Sequence, residues 1–161
     1  MWKIIQQLCE DIRGNLTVYE AVVLMMTALG SLRCHDKSRV IPVGYSMLLI
    51  LYITLLRRTP EYNEEIRYHI SFLPDVKVWT GNLLNVILYI PLGGTIYNMA
   101  ASIKGTAFAA LLSSVLCEMI QYFTHRGVAD INDVLFNLIG ACAGALLFRA
   151  FRAFKKKKDL Q

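Results

Sequence analysis

Residues 40–56, VIPVGYSMLLILYITLL, run seventeen positions without a charge. Such a run lies at the short edge of the roughly 17–25 residues that cross a bilayer as a helix. A soluble domain would break its apolar residues into shorter amphipathic periods. The rest of the 161-residue chain follows the same pattern, with 55 % hydrophobic residues and a mean hydropathy of +0.43. Its apolar residues come in long blocks joined by short polar links. The class is therefore an all-α, polytopic membrane helix bundle, and a soluble helical bundle is the alternative that the charge-free run disfavours.

Five hydrophobic blocks follow from this spacing: 16–32, 40–56, 82–101, 105–123 and 131–154. The first is the weakest span, because Glu20 sits within it. Before the blocks, MWKIIQQLCEDIRGN places Ile5, Leu8, Cys9 and Ile12 on one helical face and its charges elsewhere, as in a helix lying on a membrane surface. A signal peptide cleaved near Ala28-Leu29-Gly30 is the competing reading, and the two acidic residues of the leading segment argue against it. The expected organisation is an interfacial helix over 1–15, a membrane domain over 16–154 and a basic tail over 155–161.

Charge orients the bundle. The link RCHDKSR, Lys104 and the terminal RAFRAFKKKK carry ten of the seventeen Lys and Arg residues, concentrated beside the spans. The other side carries seven, most of them in a long loop with compensating acids. By the positive-inside rule the C-terminus is cytoplasmic, the N-terminus is outside, and the localisation is the cell membrane. The basic tail reads as an anchor to anionic lipid rather than a nucleic-acid tail, so the bilayer is the expected partner and no nucleic acid is. Cys9, Cys34, Cys117 and Cys142 form no C-x-x-C pair, which argues against a zinc site or a disulfide framework.

The stretch LLSSVLCEMIQYFTHRGVADINDVLFNLIG, residues 111–140, is apolar enough for lipid yet carries many polar groups. In the expected topology Asn85 lies at the outer end of the third block, and Glu118 and Gln121 lie in the last two turns of the fourth. Asp130 and Asp133 open the fifth block, with Asn137 a turn deeper, and Arg57 and Arg58 close the second. Intramembrane carboxylates are expensive and by default face the bundle interior. Glu118, Gln121 and His125 share one stripe, while Asp130 has a sufficient local reading as a helix N-cap. Pro91 with Gly93-Gly94 suggests a kink, and Gly140 and Gly144 suggest close helix packing. The pattern predicts a polar pocket at the outer leaflet, with no metal centre and no particular cofactor indicated. None of the usual catalytic signatures is present.

The chain resembles the VanZ-like family of small bacterial membrane proteins, named after a teicoplanin-resistance protein. The resemblance is clearest from Tyr45 to Leu147 and is carried by YITLLRR, SFLPD, NVILYIPLGG, CEMIQYF and ADINDVLFNLIGACAGALL. Arg57, Asn85, Pro91, Gly93, Glu118, Gln121, Asp130, Asp133, Asn137 and Gly140 match the family pattern. The family's usual Pro-Phe is Pro74-Asp75 here. The resemblance implies a multi-pass cell-membrane protein and, in the name-giving case, protection against a lipoglycopeptide.

Two functions are expected from these residues. In the first, the pocket binds or modifies a lipid-linked envelope precursor or an amphiphile such as a lipoglycopeptide. Glu118 and Asp133 then act as acceptors, acid–base groups or cation ligands. Arg57 holds an anionic group, and Asn85, Gln121, Asp130 and Asn137 complete the pocket. In the second, the same residues only tie helices together in a structural or assembly protein. Turnover and self-association stay open at this stage.

Overall fold

The computed structural model describes residues 40–56, 66–67, 76–126 and 128–158, with isolated helical positions between Glu20 and Gly30. Helix α1 covers Val40–Leu51 and continues as a π-helical turn, Tyr52–Leu56. Helix α2 spans Val76–Ala100, α3 spans Ile103–Thr124 and α4 spans Ile131–Lys158. Two two-residue strands, β1 at Ile66–Arg67 and β2 at Ala129–Asp130, pair in parallel, with Ile66 opposite Ala129 and Arg67 opposite Asp130. The long α1–α2 connection thus meets the short α3–α4 connection at one end of the bundle, called here the turn end.

The helices are inside out relative to a soluble bundle. The buried positions of α3 are Thr106, Ala110, Ser114, Cys117, Glu118 and Gln121, whereas Phe108, Leu112, Met119 and Phe123 are exposed. Likewise α1 buries Pro42, Ser46 and Ile50 and exposes Ile41, Tyr45 and Leu48. Water would penalise that outer face, while lipid tails accept it and leave small and polar residues to hold the helices together. Trp79–Ala100, Ile103–Thr124 and Ile131–Lys155 are each long and apolar enough to cross a membrane, and Val40–Leu56 is a shorter apolar helix. Three spans meet this measure among the described residues, against the five blocks expected from hydropathy. The difference lies in Val40–Leu56, seventeen residues long, and in the first block, whose positions are described only in part. The expected interfacial helix over 1–15 lies outside the described residues.

Helices α2 and α4 form the tightest pair, and their chemistry explains why. A Cβ on Gly140 would overlap the Val86 backbone, one on Gly144 the Ile90 carbonyl, and one on Gly93 the Ala141 carbonyl. Only glycine lets backbones meet this closely. Val86 faces Gly140 and Ile90 faces Gly144, so contacts advance in the same direction along both helices and the helices are parallel. Arg152 extends the pairing by donating to the Asn98 carbonyl at 3.4 Å. The helix continues unbroken through Pro91, and Gly93 and Gly94 serve this approach rather than ending the element.

A two-residue reversal joins α2 to α3. Ala101 takes a left-handed conformation, φ 52°, and Ser102 then caps α3 by accepting the Gly105 N–H at 3.1 Å. The side-chain oxygen satisfies one of the N–H groups that a helix start leaves without an internal partner. Helix α3 consequently runs back to the turn end antiparallel to α2 and α4. Tyr89, Leu92, Ile50, Ala110, Cys117 and Ala141 form the buried centre.

Candidate polar site at the turn end

The turn end is built from helix termini whose backbone groups need partners. Helix α3 stops at His125, which adopts φ 53° and ψ 32°, and its reversal is closed by Arg126 N–H donating to the Gln121 carbonyl at 3.0 Å. Helix α4 then starts after Asp130, whose Oδ1 accepts the Asn132 backbone N–H and the Asn132 Nδ2–H, both at 2.8 Å. This is the N-cap role expected of Asp130, and the positive helix end favours the carboxylate there.

Glu118 meets this cap from the neighbouring helix. Its Oε2 accepts the Asp130 backbone N–H at 2.9 Å, although the side chain is only 8 % exposed. Asp130 therefore contributes its side chain to its own helix and its backbone to Glu118. Asp133, one turn into α4, accepts the Asn85 Nδ2–H at 2.6 Å, linking α4 to α2. Asn137, a further turn down, donates to Ser114 Oγ on α3 at 2.8 Å.

The π-wound end of α1 joins the same region. A helix C-terminus leaves carbonyls without intrahelical partners, and two of these are taken up from α3 and its turn. Gln121 Nε2 donates to the Thr54 carbonyl at 3.4 Å, and Arg126 Nη1 donates to the Leu55 carbonyl at 3.0 Å. Of the expected site residues, Glu118, Asp133, Asn85, Gln121, Asp130 and Asn137 gather around this end. Arg57 lies outside the described residues. His125 forms the helix cap on the same stripe.

Sequence reasoning passed over four participants. Ser114 sits four residues before Glu118 and seven before Gln121, so the stripe that holds those two already points to it. Thr54 and Leu55 act through backbone carbonyls, which side-chain chemistry does not reveal. Tyr89 lies inside an apolar run, and its hydroxyl approaches Cys117 Sγ at 4.0 Å.

Chemically, the cluster is rich in hydrogen-bond acceptors. Two carboxylates are held by donors from other elements. Gln121 Oε1 and Asn137 Oδ1 are buried without a hydrogen-bond partner among the described residues. A buried acceptor in that condition costs on the order of 1–3 kcal/mol. Among the described residues no three His, Cys, Asp or Glu side chains come together in a metal-binding group. A separate apolar cavity of about 360 Å³, lined by Val23, Met26, Thr27, Gly30, Ile41, Pro42 and Tyr45, lies near the opposite end of α1.

Fold and cluster together define a membrane-type helical protein with a buried polar site at one end of its bundle. Residues 16–152 match the VanZ/LLP1 family model, and the chain belongs to that VanZ-like family. The match takes in the first apolar block as well as the region from Tyr45 to Leu147. No curated protein and no solved structure matches the chain.

Proposed function

We propose that the protein binds, or binds and modifies, the headgroup of a lipid-linked or amphiphilic envelope component at the turn end. The observation that carries this reading is a pair of buried amide oxygens, Gln121 Oε1 on the Glu118 stripe and Asn137 Oδ1 facing it, that have no hydrogen-bond partner among the described residues. Residues retained solely for glue would be expected to satisfy one another. With the basic end of α4 cytoplasmic, as positive-inside asymmetry requires, the turn end lies in the outer leaflet of the cell membrane. An amphiphile there would reach Glu118 and Asp133 without leaving the bilayer. Arg57, directly after the π-helical turn, would supply a planar cationic fork for an anionic group.

Family membership extends the proposal to protection against lipoglycopeptides such as teicoplanin. The test is susceptibility of a Gram-positive host expressing the protein or its Glu118→Ala variant at equal membrane levels, with vancomycin in parallel. Teicoplanin protection that disappears in the variant supports the reading. Equal protection by both forms removes Glu118 from the site, and protection by neither removes the lipoglycopeptide.

A structural or assembly role is the second reading. It is favoured by the bonds that Asn85 makes to Asp133 and Asn137 makes to Ser114, which join helices directly. Interhelical bonds of this kind are worth about 0.6–2 kcal/mol in membranes, enough to fasten a bundle.

A further inference from the structure

Buried polar groups continue inward from the turn end along one stripe of α3. Gln121, Glu118 and Ser114 follow at three- and four-residue intervals and so share a face. All three are buried. Ser114 lies seven residues from Gln121, about 10 Å along the helix at a rise of roughly 1.5 Å per residue. At that depth Ser114 Oγ accepts from Asn137 Nδ2, and one residue before Glu118 the Cys117 Sγ meets the Tyr89 hydroxyl at 4.0 Å.

Two amides thus bracket Glu118, one turn nearer the turn end and one turn deeper. Gln121 is 2 % exposed and Asn137 is 5 % exposed. Each has a carbonyl oxygen without a protein partner among the described residues. The stripe offers amide, hydroxyl and phenol groups around one carboxylate. Hydroxyl groups suit such a lining, because each can donate to an amide oxygen or carboxylate and accept from Ser or Tyr. A phosphate diester offers only acceptors, so it would leave the Gln121 and Asn137 amide oxygens without donors.

We propose that this stripe seats a hydroxylated headgroup, of sugar or polyol type, that enters at the turn end and reaches Asn137. The proposal rests on the reading that an amphiphile is bound there, and it specifies the chemistry recognised. Hydroxyls donate to Gln121 Oε1 and Asn137 Oδ1, with Glu118 accepting a third.

The experiment follows the thermal unfolding midpoint of the full chain in phosphatidylcholine nanodiscs as one probe lipid is titrated in. The probes are a glucosyl diacylglycerol, phosphatidic acid and a dialkyl dimethylammonium lipid. A saturable rise with the glucosyl lipid alone, weakened at least tenfold in midpoint concentration by both Asn137→Leu and Gln121→Leu, is the expected result. If Asn137→Leu does not fold, Gln121→Leu carries the comparison, since its long bond to Thr54 is the smaller loss. Saturation by phosphatidic acid or the ammonium lipid instead overturns the hydroxyl assignment and leaves amphiphile binding standing. Saturation by the glucosyl lipid that Gln121→Leu leaves unchanged overturns the stripe as its seat. A featureless response to all three overturns both the hydroxyl assignment and the amphiphile reading.

Discussion

The Glu118 carboxylate accepts the Asp130 backbone N–H at 2.9 Å, so the last turns of α3 hold the first turn of α4. This single bond gives Glu118 a structural duty beside any duty toward a ligand, and the two separate by substitution. Glu118→Gln keeps an oxygen for the Asp130 N–H while removing the charge, and should fold with little change in unfolding midpoint. Glu118→Ala leaves that N–H without its acceptor and should cost about 1–3 kcal/mol. Both should abolish protection or binding. Thermal unfolding in detergent beside the functional assay checks the pair, and full function in Glu118→Gln would contradict a role for the charge.

Helix α4 approaches α2 through glycine, and no side chain fits in its place. Gly140→Ala drives a methyl into the Val86 backbone and Gly93→Ala drives one into the Ala141 carbonyl. Neither contact is the flexible tip of a side chain, so the helices must separate. Each should destabilise by about 1–3 kcal/mol or more, despite alanine's better helix propensity. Gly81 meets nothing within 4 Å, so Gly81→Ala should be neutral or stabilising by up to about 1 kcal/mol. Unfolding midpoints of the three variants in one detergent check the ordering.

The orientation of the bundle in the membrane is tested by labelling its two ends. Thr124 is exposed at the turn end of α3, whereas the basic residues of α4 lie at its opposite end. In a variant lacking Cys9, Cys34, Cys117 and Cys142, Thr124→Cys should react with a membrane-impermeant maleimide added to intact cells. A cysteine at Lys158 should react only after the cells are opened. The reverse pattern would place the polar site in the inner leaflet.

Much of this architecture was legible because lipid imposes long apolar blocks. The 40–56 block coincides with Val40–Leu56, and 131–154 begins where α4 begins. The 82–101 block starts late because Lys77 reads as loop, although α2 already begins at Val76. Helical spacing placed Glu118 and Gln121 on one buried stripe. Other parts are not encoded in any local pattern. The use of the Thr54 and Leu55 carbonyls depends on a π-helical turn, and the Asn85–Asp133 bond depends on the parallel register of α2 and α4. Gly93 and Gly94 beside Pro91 read as a kink from sequence, and their further use as a packing surface depends on their neighbours on α4.

The central claim is that the buried amides form a binding site and are not merely fasteners. Gln121 tests it most directly, because its hydrogen bond to the Thr54 carbonyl is long at 3.4 Å and its Oε1 has no partner among the described residues. A residue kept for binding is held at some expense to stability. The measurement is the thermal unfolding midpoint of Gln121→Leu in detergent, without added ligand, against the unaltered chain. An unchanged or raised midpoint is the predicted result, and a fall of several degrees would show Gln121 to be a fastener and contradict the account.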